Sequence, residues 1–270
     1  MILNSHFGLS FNPFEKGLDA KHLYESDDCR QFSSRMEYFK ETHGFAVVYG
    51  EPGVGKTTSI RSFVSKLNPL THLVVYLPLS SLTVIDFYRH LAKGLLLVPA
   101  FRKVDMFHQI QEQIANLSHQ KGITPVIILD EAQFLSPKVL HDLPMLFNFH
   151  LDSKDYAMVL FSAQPYLLNA LGLHVHEALR QRISLYFEFT GLKRDEVPRY
   201  LTSLLKQAGR TEPIFAPDAV ESLTSLSGGL PRKLNRLAER SLLIACQKGT
   251  LSVDAGMVQA AYDDVEHRAQ

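Results

Sequence analysis

Gly50-Glu51-Pro52-Gly53-Val54-Gly55-Lys56-Thr57 follows the apolar run Phe45-Ala46-Val47-Val48-Tyr49 and leads into a helical pattern. The fixed positions of a G-x-x-x-x-G-K-[ST] phosphate loop are all present, in the strand–loop–helix setting that the motif needs. Glycines let the backbone curl so that successive N–H groups face phosphate oxygens. The stretch from Gly50 through Glu51, Pro52, Gly53, Val54 and Gly55 to Thr58 is therefore expected to wrap the phosphates of ATP. Lys56 reaches the β- and γ-phosphates, Thr57 offers its hydroxyl to Mg²⁺, and the helix N-terminus adds a favourable dipole. The bland alternative, a glycine-rich turn with an incidental lysine, leaves the joint match unexplained.

Outward from this loop, apolar runs at 73–77, 125–129 and 157–161, and the segment 183–189, predict four further strands. Unbroken apolar runs suit parallel strands covered on both faces. Helical periodicity appears over 27–42, where Phe32, Met36 and Phe39 recur at i, i+4 and i+7, and over 56–67, 83–96 and 106–121. From about residue 193 only helices are expected, at 194–208, 217–226, 230–247 and 253–265. The fold class is α/β: a parallel five-stranded sheet covered by helices, followed by a small all-helical lid. The expected domains are an N-terminal aromatic segment and helix (1–44), the nucleotide-binding α/β domain (45–190) and the lid (191–270).

Bulk properties narrow the classes. In 270 residues, Lys+Arg 28 balance Asp+Glu 28, so no global charge points to nucleic acid or an anionic membrane. Two cysteines, Cys29 and Cys246, are too few for a disulfide framework and fit a reducing compartment. The first residues lack the basic head and apolar core of a signal peptide, and the apolar runs are too short to cross a bilayer. A soluble cytoplasmic protein is expected.

Further features line up behind the loop. Asp130-Glu131 ends the 125–129 strand, at the sheet edge where open α/β folds bind ligands. There Asp130 is expected to hold Mg²⁺ and Glu131 to polarise the attacking water. Ser162-Ala163-Gln164 ends the next strand, and either Ser162 or Gln164 is placed to orient that water. Arg180 and Arg182 precede the fifth strand. One of them, with Arg182 ahead of Arg180, is expected to act as an arginine finger on a neighbouring subunit. Gly228-Gly229-Leu230-Pro231-Arg232 opens a lid helix and aims Arg232 back at the nucleotide.

In this order the motifs resemble the AAA+ ATPases over nearly the whole chain. A narrower likeness rests on Phe7-Gly8-Leu9-Ser10-Phe11-Asn12-Pro13-Phe14, Val48-Tyr49-Gly50-Glu51, Asp130-Glu131-Ala132-Gln133, and the blocks Gln164-Pro165 and Gln181-Arg182-Ile183. These resemble the ExeA-like branch, which includes secretion-associated ExeA proteins and transposition regulators of the TnsC, TniB and MuB type. The resemblance implies that aromatics such as Phe14 and Tyr24 flank the adenine and that Gln133 lies near the catalytic acids. It also implies ATP and Mg²⁺ as cofactors and self-assembly into a ring or filament. Where the branch often carries glycine before Gln-Pro, this chain has Ser162-Ala163. Secretion-associated ExeA proteins continue into a membrane span and a periplasmic region, and no such segment is present in this sequence.

The leading expectation is an ATP-dependent regulator of DNA transposition. It would oligomerise on duplex DNA, recruit or activate a transposase and disassemble on hydrolysis. Arg102, Lys103 and Lys121 are the candidate DNA contacts. The alternative is an ExeA-like assembly ATPase of a secretion or envelope apparatus that acts on a protein partner.

Overall fold

The computed structural model describes residues 2–15, 24–78, 82–149 and 154–266. The chain forms two compact units: one of Gln31–Pro52 and Lys56–Phe189, the other of Met1–Arg30, Gly53–Gly55 and Thr190–Gln270.

The first unit is built on five parallel strands: β1 (Gly44–Gly50), β2 (His72–Pro78), β3 (Thr124–Asp130), β4 (Met158–Ala163) and β5 (Ile183–Phe189). Their order is β2-β3-β4-β1-β5. β4 is buried along its whole length and β3 nearly so, as their unbroken apolar runs require. β5 lies at the edge and alternates buried with exposed, following its Ile-Ser-Leu-Tyr-Phe-Glu-Phe sequence.

One sheet face carries Val47, Val75, Ile127, Leu129, Val159 and Phe161. They share a core with Phe87, Tyr88 and Leu91 of the helix Val84–Gly94, Met106 and Ile110 of Lys103–Ala115, and Leu140 and Leu143 of Pro137–Leu146. Alternate residues face the other way, where the helix Asp27–Thr42 buries Phe32, Met36 and Phe39. The Phe32 ring meets those of Phe63, Phe187 and Phe189 at 5.3–6.4 Å. Each fully buried side chain of this kind contributes roughly 1.5–3 kcal/mol.

Most helices lie where periodicity predicts them: Lys56–Ser65 and Val84–Gly94 end sooner than expected, and Lys103–Ala115 begins three residues earlier and runs into a π-turn at Asn116–Gln120. The helix Pro137–Leu146 was not foreseen, although Ser136 caps it and Pro137 opens it.

The second unit packs the helices Glu196–Gln207, Pro217–Ser227, Pro231–Gln247 and Ala255–Glu266 around Leu201, Leu204, Leu223, Leu237 and Val258. The N-terminal aromatic segment belongs to this core: Phe7, Leu9 and Phe14 are buried in it. Ser10 N donates to Ala208 O (2.8 Å) and Asn12 Nδ2 to Glu239 Oε1 (2.6 Å). Residues 1–44 therefore do not form a separate element. The aromatic segment has no core of its own and completes the helical one, while Gln31 onward completes the sheet unit.

The second unit resumes at Thr190. Asp28, buried, accepts from Thr190 N (2.7 Å) and Gly191 N (2.9 Å). Glu196, also buried, accepts from Asp27 N (2.8 Å) and Lys193 N (3.0 Å). Backbone donors thus satisfy both carboxylates. Residues 16–23 and 267–270 of the expected terminal domains lie outside the described residues.

Candidate nucleotide and catalytic site

Because β4 lies between β1 and β3, the carboxyl ends of these three strands are neighbours. The phosphate loop, Asp130-Glu131 and Ser162–Gln164 therefore meet along one sheet edge. Two glycines are needed for shape in the loop. A Cβ on Gly50 (φ +156) would lie 2.3 Å from Phe189 O, and one on Gly53 (φ +91) would lie 2.7 Å from Arg232 Cβ. Lys56 is buried, and its ammonium donates to Gly50 O (2.7 Å) and Glu51 O (3.1 Å). The lysine thus closes the loop on itself, its charge dispersed over backbone carbonyls. Val54 is buried beneath the loop, Gly55 and Thr58 are half-buried, and Glu51, Pro52 and Thr57 are exposed.

Asp130 is buried, and both carboxylate oxygens are held. Oδ1 accepts from Glu131 N (3.1 Å), and Oδ2 accepts from Tyr76 Oη (2.8 Å) and Thr57 Oγ1 (3.3 Å). Burial, reinforced by Asp130, pushes the Tyr76 phenol up to about 12, so it stays a donor. The Thr57 hydroxyl and Asp130 carboxylate form the hard-oxygen pair that suits Mg²⁺ when phosphates supply the remaining ligands.

Glu131 is exposed and adopts a left-handed backbone (φ 57, ψ 41), which costs a non-glycine residue about 1–2 kcal/mol. Gln133 sits where the resemblance implies. Its Nε2 donates to Glu131 Oε2 (2.6 Å), and its Oε1 accepts from Gln164 N (3.0 Å). One amide thereby ties the candidate base to the end of β4. Ser162 pairs in register with Asp130 and so lies on the same sheet face. Its Oγ is fully buried and has no hydrogen-bond partner among the described residues. Gln164 is half-buried, one step beyond the strand.

The late arginines separate. Arg182 is half-buried, and its Nη1 donates to Pro144 O (2.6 Å) at the end of the helix Pro137–Leu146. That end leaves carbonyls without helical partners, and an arginine is a natural cap for them. Arg180 is exposed, with one contact from Nη1 to Gly172 O (3.2 Å). Arg232 lies against the middle of the phosphate loop, its backbone N donating to Gly53 O (3.2 Å).

One expectation needs correction. Phe14 is 3% exposed and meets the Phe215 ring edge-on at 6.0 Å, so it anchors the helical core and does not flank a base. Tyr24, half-buried, meets Tyr200 at 5.4 Å. Lys103 is already engaged with Asp142 (2.5 Å) and the Tyr88 ring (5.3 Å). Arg102 and Lys121 are exposed. Sequence reasoning missed Tyr76, because a tyrosine inside an apolar run reads only as a strand former.

The fold is AAA+. Residues 39–171 match the AAA domain family. The chain is 33% identical over 263 residues to general secretion pathway protein A of Aeromonas hydrophila, covering 95% of this chain and 47% of that protein. It thus spans about half the length of this curated relative. Among solved structures it is similar to Cdc6p from Pyrobaculum aerophilum (TM-score 0.64, 17% identity, 93% of this chain and 68% of that one). It is also similar to the Aeropyrum pernix ORC2 protein (0.67, 14%, 94% and 71%) and to a chain of Drosophila ORC bound to DNA (0.67, 16%, 97% and 65%). No helix of the described residues is long and apolar enough to cross a membrane.

Proposed function

We propose that this chain is a Mg²⁺-dependent ATPase whose nucleotide state controls self-assembly and the engagement of a macromolecular partner. The observation that carries the reading is the convergence of Lys56, Thr57, Asp130, Glu131 and the end of β4 on one sheet edge. The loop backbone and Lys56 bind the β- and γ-phosphates. To do so the ammonium leaves the carbonyls of Gly50 and Glu51 for phosphate oxygens, which are the stronger acceptors. Thr57 and Asp130 hold the metal, which when bound neutralises charge on the phosphates. Glu131, aimed by Gln133, accepts a proton from the attacking water, and Ser162 or Gln164 orients that water. Arg232, held beside Gly53 by its backbone N–H, supplies charge to the phosphates, and an arginine from a second copy stabilises the developing charge. The exposed Arg180, with its longer 3.2 Å bond to Gly172 O, is more accessible to a second copy than the half-buried Arg182, bonded to Pro144 O at 2.6 Å.

For the partner, the similarity to general secretion pathway protein A favours assembly of a secretion or envelope apparatus through a protein contact. A second reading, regulation of DNA transposition with recruitment of a transposase, has support from the exposed Arg102 and Lys121 and from the ORC neighbour bound to DNA. Glu131→Gln tests the common core. It should bind ATP as the wild type does and turn it over at least about tenfold more slowly. Unchanged turnover removes Glu131 from the mechanism. The same variant, loaded with ATP and imaged by electron microscopy with and without duplex DNA, separates the partners. DNA-dependent filaments favour the transposition reading, and DNA-indifferent assemblies favour a protein partner.

A further inference from the structure

The geometry points to Tyr76 as a positioning residue for the metal-holding carboxylate, a role that builds on the ATPase reading above. Asp130 has a buried carboxylate at a strand end, and such a group swings about its last bond unless both oxygens are fixed. The Glu131 N–H fixes Oδ1 at 3.1 Å. On Oδ2 the short contact is the Tyr76 hydroxyl at 2.8 Å, while Thr57 Oγ1 stands further off at 3.3 Å.

The topology makes this contact possible. β2 runs beside β3 in parallel register with Tyr76 opposite Ile128 and Pro78 opposite Asp130. Tyr76 and Asp130 therefore share a sheet face, two residues apart along the strand direction. Only a side chain about as long as tyrosine spans that offset to reach a carboxylate on the next strand. The residue as a whole is 49% exposed, so core packing does not account for a tyrosine here; its hydroxyl end is the part drawn in against Asp130. Its hydroxyl supplies the third hydrogen bond that Asp130 accepts.

When Thr57 turns its hydroxyl oxygen to a metal, its proton still points at Asp130 while Tyr76 keeps the carboxylate plane in place. Hydrogen-bond partners behind metal ligands typically change affinity about 10–100-fold. Tyr76 thus sets how strongly Mg²⁺ tightens nucleotide binding. It touches neither the water nor the γ-phosphate in this scheme, and the maximal rate at saturating Mg²⁺ does not depend on it.

The test uses Tyr76→Phe in the full chain and a fluorescent ATP analogue titrated with Mg²⁺ and with a chelator. The expected result is a metal-dependent gain in affinity reduced about tenfold, with chelator affinity within about twofold of wild type and a melting temperature lowered by a few degrees, as the loss of one hydrogen bond to a charged group requires. In hydrolysis assays the Mg²⁺ concentration for half-maximal rate rises about tenfold and the plateau rate is kept. In an Asp130→Asn background Tyr76→Phe should add nothing further. Superimposable Mg²⁺ titrations overturn the inference, as does an equal loss of affinity with and without metal, which marks a purely structural tyrosine. A wild-type chain that binds ATP with no regard to Mg²⁺ overturns the parent reading as well. A Mg²⁺-sensitive wild type with an unchanged variant overturns Tyr76 alone.

Discussion

Replacing Gly53 by alanine adds one methyl group at the centre of the phosphate loop. That methyl would stand 2.7 Å from Arg232 Cβ, whereas ordinary contact begins at 3.4 Å, so something must move by several tenths of an ångström. Arg232 cannot yield freely, because it is in the first turn of the helix Pro231–Gln247 and its N–H is bonded to Gly53 O. The loop backbone also stands at φ +91, which costs an L-residue about 1–2 kcal/mol. Crowding of one methyl group adds about 1–3 kcal/mol. If the loop must keep its present shape to bind phosphate, the combined 2–5 kcal/mol weakens ATP binding by roughly 30-fold or more. Equilibrium titration with a fluorescent ATP analogue measures the affinity, and urea unfolding measures the stability. Arg232→Gly removes the clashing carbon. In a double-mutant cycle it should restore the steric share of the loss and leave the backbone share. Gly53→Ala with ATP affinity within twofold of wild type and unchanged stability would refute the claim that Arg232 shapes this loop.

Arg182→Ala should lower stability by about 1.5–3 kcal/mol in urea unfolding, since it removes a charged donor from Pro144 O. Arg180→Ala should leave stability unchanged and depress hydrolysis about 10³-fold at concentrations where the chain assembles. The reverse pattern would return the finger to Arg182. Gln133→Ala should cut turnover about tenfold with ATP affinity kept, because Glu131 loses its 2.6 Å tether. Intact turnover would show that Glu131 aims itself. His176 is buried, its Nδ1 has no hydrogen-bond partner among the described residues, and burial together with nearby His141 holds the imidazole below its usual pKa. The unfolded chain then binds the extra proton below about pH 6.5, so stability from this residue is full above that pH and falls as pH drops. The slope is at most about 1.4 kcal/mol per pH unit, and His176→Leu should flatten it between pH 7.5 and 5.5. Parallel pH profiles for both proteins would count against the assignment.

Much of this was legible in residues because local chemistry dictates it. Apolar runs marked the buried strands β3 and β4, while the edge position of the alternating Ile183–Phe189 strand came only with the sheet order. The loop, Asp130 and Glu131 were legible because phosphate and metal chemistry demands those residue types at a strand end. Strand order was not, since Val126–Leu129 and Val159–Phe161 are equally apolar and neither run names its neighbour. The home of Phe7 and Phe14 was also hidden, because an aromatic ring fills a protein core or stacks on a base with equal ease. The same holds for Arg180 and Arg182, whose separate roles depend on where a distant helix ends. Tyr76 acts across two strands, and such a contact follows from register, which composition does not encode.

The central claim is that ATP is hydrolysed at the edge formed by β1, β3 and β4. Phosphate release from ATP and Mg²⁺ by the purified full chain tests it directly, with Lys56→Ala as the comparison. The account predicts measurable turnover for the wild type and its loss, together with tight ATP binding, in the variant. Equal phosphate release from the two proteins would contradict it.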